Sequence, residues 1–116
     1  MNLPVETLGL LFESLVVRDM RVYAQSLDAN LYHYRDNTGL EVDAIVQRRD
    51  GAWAAFEVKL GQRAIDDAAA SLLRLAERVD VERHGRPVAL GVITGWGYAY
   101  RRTDGIDVIP VGTLAP

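Results

Sequence analysis

Residues 40–60, LEVDAIVQRRDGAWAAFEVKL, hold two strand-like runs joined by Arg49-Asp50-Gly51. More than any other stretch, this one limits how the chain can fold. A three-residue hairpin loop is a type I turn followed by a residue in the left-handed region, which glycine enters without steric cost. Gly51 stands at that position. The loop predicts antiparallel strands over Leu40–Arg48 and Ala52–Leu60, with Arg48 opposite Ala52. Asp43 then faces Glu57, and Glu41 faces Lys59. Paired residues share a face, as do alternate residues along a strand, so these four project together, with opposed Cβ atoms ~5 Å apart. A two-residue loop would shift the register by one and part Asp43 from Glu57.

Two facing carboxylates repel unless a proton or a cation lies between them. Hard cations such as Mg2+ take oxygen ligands, commonly one or two carboxylates plus substrate phosphate oxygens. Beside the pair stands Lys59, the only lysine in a chain that carries twelve arginines. An ammonium is a compact charge that lowers its pKa when buried, which guanidinium does not do. It can hold an attacking water or stabilise charge building on a phosphate. Glu–Lys pairs also decorate solvated sheets; the opposed aspartate sets this group apart, because like charges across a ladder destabilise it without compensation.

The flanking pattern predicts the remaining elements. Residues 4 to about 26 read as a helix, with Pro4 in its first turn and Leu8, Leu11, Phe12, Leu15, Val16 and Tyr23 as its packing stripe. Glu13 has Gly9, Leu10, Val16 and Val17 three and four positions away. It is either an edge carboxylate or one held by a partner, able to orient water or a second metal. A strand over residues 31–35 ends in the turn Asp36-Asn37-Thr38-Gly39. A second helix covers 64 to about 79, packing through Ile65, Ala69, Leu72, Leu75, Ala76 and Val79, with Asp66 and Asp67 in its first turn. Residues 88–94 read as a central strand covered on both faces, and Ile106–Val111 as the last strand. The expectation is one α/β sandwich over residues 1–116.

Composition narrows the class. Apolar residues make up 49% and charged ones 25%, ordinary for a packed domain, and no cysteine is present for disulfides or thiolate metal sites. Apolar runs are broken by charge well short of a ~20-residue membrane span, and no signal-peptide order is seen. A bacterial-type cytoplasmic domain without a membrane partner is expected. The net charge of −3 does not mark a polynucleotide binder, although acids clustered around a metal lower the sum locally. In WGYAYRR, Trp96, Tyr98 and Tyr100 stand beside Arg101 and Arg102. That mixture stacks bases and holds phosphates, or serves as an aromatic flap or subunit contact. Gly91, Gly95 and Gly97 lack dinucleotide-fingerprint spacing and read as a plain loop, and His33 and His84 read as structural.

The order helix, three strands, helix, strand, with an acid in the first helix, then GLEVD, then FEVK, resembles the PD-(D/E)XK nuclease superfamily, which has the restriction-endonuclease-like fold. LLFESLV, YHYRD, GLEVDAIV and FEVKLG together look like a domain of unknown function found C-terminal to the ATPase module of bacterial P-loop ATPases. The resemblance implies an αβββαβ core with a mixed sheet flanked by helices, and metal-dependent hydrolysis of DNA or RNA phosphodiesters. It implies Asp43 and Glu57 as Mg2+ or Mn2+ ligands, Glu13 as an accessory acid and further ligand, and Lys59 as the group assisting water or transition state. Glu41 is left as an ion-pair partner for Lys59. Val42 stands where the namesake proline would be, and the chain has no G-x-x-x-x-G-K-[ST] phosphate loop. The expectation is thus the C-terminal domain of a larger ATPase, or a stand-alone relative. The alternatives are a catalytically silent accessory module of an ATPase, in cis or in trans, and a homodimerising domain.

Overall fold

The computed structural model describes residues 4–114 of the unit expected over 1–116. A long helix, α1 (Val5–Ser26), leads into three strands, β1 (Ala29–Arg35), β2 (Glu41–Arg48) and β3 (Trp53–Lys59). After a 3-10 turn come α2 (Ile65–Arg78) and the short α3 (Val81–His84), then β4 (Ala89–Thr94), β5 (Tyr100–Arg101) and β6 (Asp107–Pro110). The six strands form one mixed sheet in the order β1-β2-β3-β4-β6-β5. β1, β2 and β3 are antiparallel neighbours, whereas β4 lies parallel to both β3 and β6. A parallel neighbour requires a crossover, which α2 and α3 provide between β3 and β4. Sequence periodicity overlooks α3, which Asp80 caps by accepting from the N–H groups of Glu82 and Arg83, and the two-residue β5. Pro4 caps α1 from outside rather than sitting in its first turn.

The hairpin follows its loop. Gly51 has φ +93°, its N–H donates to the Arg48 carbonyl, and Arg48 N–H donates to Ala52 O at 2.8 Å. Ladder partners run from Gln47–Trp53 to Ala44–Phe56, the register that the three-residue loop predicts.

The two helices cover opposite faces of the sheet. Ile65, Ala68, Ala69, Leu72 and Leu75 of α2 pack with Trp53, Ala55, Val92 and Val108. Val16 of α1 packs with Val58 and Ile93, the next residues along the same strands, joined by Phe12, Val17 and Met20. This corrects the stripe expected for α1. Leu8, Leu11 and Leu15 are 41–49% exposed, and Tyr23 is exposed as well. Phe12 and Val16 of that stripe do pack, and the contact continues through Val17, Met20 and Ala24, a strip turned away from the leucines. α1 carries apolar residues on both sides, so periodicity alone picks no single face.

One irregularity positions the site. Against β1 the partners of β2 step from Ile45 (opposite Tyr32) to Val42 (opposite Tyr34). Three residues of β2 thus span two of β1, a β-bulge at Asp43–Ala44. Val42 and Ile45 both join the α2-side core, which strict alternation forbids. Bulges of this kind bend a strand and re-aim a side chain. Nothing in EVDAIV announces one, since no glycine or proline interrupts it.

Candidate functional site

Glu57 is the most deeply buried acid among the described residues, with 5% of its surface exposed. It lies on the central strand β3, where a charge is costly unless hydrogen-bonded. Its partners come from the bulge. Asp43 N–H donates to Glu57 Oε1 at 3.2 Å, and Val58 N–H donates to Asp43 Oδ2 at 2.7 Å. The backbone ladder between β2 and β3 is replaced here by two carboxylates, each bridging to the opposite strand. Lys59 Nζ stands 3.6 Å from Glu57 Oε2, with about a third of its side chain exposed.

Glu13 reaches the same place from α1. It lines the cleft beside Asp43, near enough for the aspartate to raise its affinity for a proton. Burial first, then the neighbouring Asp43 carboxylate, push the Glu13 carboxyl up to about 7, against the pull of Lys59. Glu57 is likewise pushed up to about 7, by burial and then by the Asp43 charge, with Lys59 again opposing. Both glutamates thus hold protons more tightly than free carboxyls do, beside one ammonium.

These side chains line an open cleft of about 550 Å3. Glu13, Asp43, Glu57 and Lys59 share it with Glu41, so the residues expected to gather do so, although the bulge rather than plain alternation brings Asp43 into place. Glu41 is not the ion-pair partner foreseen for Lys59. It bonds Arg35 across β1 at 2.6 Å, with His33 at 3.9 Å. The far wall belongs to α2, through Ser71, Arg74 and Arg78, three residues that sequence reading passed over. Their spacing of three and four along one helix was the available signal. Arg78 Nη1 donates to Asp36 Oδ2 at 2.6 Å and to Thr38 Oγ1 at 2.5 Å, clamping the β1–β2 turn onto α2.

Tyr98, Tyr100, Arg101 and Arg102 do not line this cleft. Tyr100 and Arg101 form β5 at the sheet edge, with both tyrosines exposed. Arg101 is paired with Asp107 at 2.7 Å, and Arg102 with Asp66 at 2.6 Å and Asp104 at 3.2 Å. Gly95 lies where the chain passes Leu60, its N–H on the Leu60 carbonyl at 3.1 Å, as a plain loop residue would.

The donor set of the cleft is all oxygen, the chemistry that Mg2+ or Mn2+ prefers, and the crowding that raises proton affinity is what a divalent cation relieves. Among the described residues no three Asp, Glu or His side chains stand converged around one point as a ready cation cage. A cation would therefore rest on the Asp43–Glu57 pair and on water or substrate oxygens.

The family described as Domain of unknown function (DUF4143) matches residues 8–114. The chain belongs to that family. The match covers every residue that lines the DUF4143 cleft, from Leu10 to Arg78. No curated protein and no solved structure matches this DUF4143 chain. Among its described residues, no helix is long and apolar enough to cross a membrane.

Proposed function

We propose that this domain hydrolyses phosphodiester bonds of DNA or RNA, as a member of the PD-(D/E)XK superfamily with a restriction-endonuclease-like core. The observation that carries the reading is the meeting of Asp43, Glu57 and the solitary Lys59 in one cleft, with Glu13 arriving from α1. The order α1, three antiparallel strands, α2 and a parallel β4 supports it.

Asp43 and Glu57 would hold Mg2+ or Mn2+, which when bound supplies Lewis acidity toward a phosphoryl oxygen. Glu57, fixed by the Asp43 N–H, sets the depth at which a phosphate can enter. Lys59 is half-buried beside it, so its ammonium can donate to a water poised for attack or to a charged phosphate oxygen. Glu13 takes up or returns a proton at neutral pH, since its affinity for one lies near 7. Burial of Glu57 in the floor of the cleft strengthens its interactions with Lys59 and with any bound cation.

A second reading, a silent accessory module of a P-loop ATPase in cis or in trans, is favoured by one feature. Asp43 and Glu57 each already accept from a backbone N–H of the opposite strand, so the pair serves as a structural device between β2 and β3. Incubation with labelled single- and double-stranded DNA and RNA in Mg2+ or Mn2+ separates the two. Hydrolysis is expected from the native chain and is lost by at least 100-fold in Asp43→Asn and Lys59→Ala. No cleavage of any substrate in either metal selects the accessory module.

A further inference from the structure

The cleft has two unlike ends. Toward α2 lie Arg74 and Arg78, one helical turn apart, with the Thr38–Gly39 turn beside them. Toward α1 it adjoins a second cavity of about 330 Å3 that shares Leu10, Glu13 and Lys59 and is lined further by Glu6, Gly9, Val58 and Leu60. A Cβ placed on Gly9 would meet nothing within 4 Å, so that end is open. Together they make a groove running from a basic wall, across the acids, to a shelf of Leu10, Val58 and Leu60 with Glu6 at its side.

A polyanion entering a cleft that holds Glu13, Glu41, Asp43 and Glu57 is repelled unless cations stand nearby. Lys59 is engaged by Glu57, and Arg78 by Asp36. Asp36 also accepts from Tyr34 Oη, from Thr38 N and Oγ1 and from Leu40 N, so it holds the Arg78 guanidinium in a fixed place. Arg74, exposed at the cleft wall, stands one turn before that anchor. Guanidinium groups match phosphate oxygens in a planar, two-pronged geometry.

We propose that Arg74, with Arg78 beside it, forms an anion subsite for the backbone phosphate next to the one lying over the carboxylates, and that the substrate is a single nucleic-acid strand laid along the groove. This rests on the phosphodiesterase reading. A duplex binder gathers many phosphate contacts over a basic surface, whereas this chain carries net charge −3 and offers two arginines at one end of a groove. A single strand needs cations along only one backbone, and Leu10 and Leu60 give the far end apolar surface for a base to rest on.

The test is fluorescence anisotropy with a labelled single-stranded oligonucleotide in Ca2+, over a series of salt concentrations, alongside cleavage kinetics in Mg2+. Arg74→Ala is expected to weaken binding 5- to 20-fold and to reduce the slope of log affinity against log salt by about one. KM should rise while kcat stays, and Arg74→Lys should restore most of the salt slope. The exposed position predicts an unchanged melting temperature, which separates lost binding from lost fold. Native affinity, slope and KM in Arg74→Ala, with cleavage intact in the parent, would overturn the subsite and leave the phosphodiesterase reading standing. Tighter binding of a duplex than of its single strand would overturn the choice of substrate. A parent chain that binds no oligonucleotide would overturn the subsite and count against the reading beneath it.

Discussion

Asp43 does two things at once: it accepts a backbone hydrogen bond from Val58 and it raises the proton affinity of two glutamates. Asparagine keeps an acceptor for the first and removes the charge behind the second. Asp43→Asn is therefore expected to stabilise the metal-free fold, by about 1 kcal/mol at pH 8 and by less at pH 5, where Glu13 and Glu57 are protonated anyway. Thermal melting in EDTA at the two pH values measures this, and a lower melting temperature at pH 8 would contradict it. The sign of the wider pH dependence follows from the same residues. Glu13 and Glu57 bind protons more tightly folded than unfolded, so stability declines as pH rises from about 4.5 to about 7, by on the order of 2 kcal/mol for the pair after solvent screening. Asp36 works the other way. The Thr38 hydroxyl, followed by weaker donors, holds its carboxyl well below the usual range, and the stability it lends is lost as pH falls below about 4. Urea unfolding across pH 3–8 is expected to show an optimum on the acid side of neutrality, flattened toward higher pH by Glu57→Gln.

Glycine separates the elements sharply. Gly9 lies inside α1 with open space around it, so Gly9→Ala should stabilise by about 0.5–1 kcal/mol through helix propensity. Gly51→Ala, at φ +93°, should cost about 1 kcal/mol or more and loosen the hairpin that sets Asp43 against Glu57. Chemical denaturation of both variants checks the opposite signs. On α1, Val16→Ala should cost about 1–3 kcal/mol, while Leu11→Gln and Leu15→Gln should stay within about 0.5 kcal/mol. Much of this organisation is legible in the sequence: the loop Arg49-Asp50-Gly51 sets the hairpin register, and the apolar face of α2 is read nearly as it packs. The stripe of α1 is legible only at Phe12 and Val16, because two apolar faces compete and only the tertiary contacts choose between them. The bulge at Asp43–Ala44 is hidden because it depends on the mismatch between β1 and β3 as neighbours of β2, not on any residue in β2.

At the scale of the whole molecule, the sheet sets three strand segments and two helices around one opening. β2 and β3 part where their ladder ends at Ala44–Phe56; α1 delivers Glu13 and α2 delivers Arg74 and Arg78. The aromatic and basic loop expected to grip nucleic acid lies on the other side of β4, its arginines bound to acids of their own, so the cleft depends on the α2 arginines instead. The cleft acts as one site only where its acids lie close enough to raise one another's proton affinity. Side-chain carboxyl carbons followed by NMR through a pH titration of the metal-free protein measure that directly. Two glutamate carboxyls are predicted to titrate near pH 7, and to move back toward 4.5 in Asp43→Asn. If every glutamate titrates near 4.5 in the parent chain, the acids are not crowded and the account of the cleft is wrong.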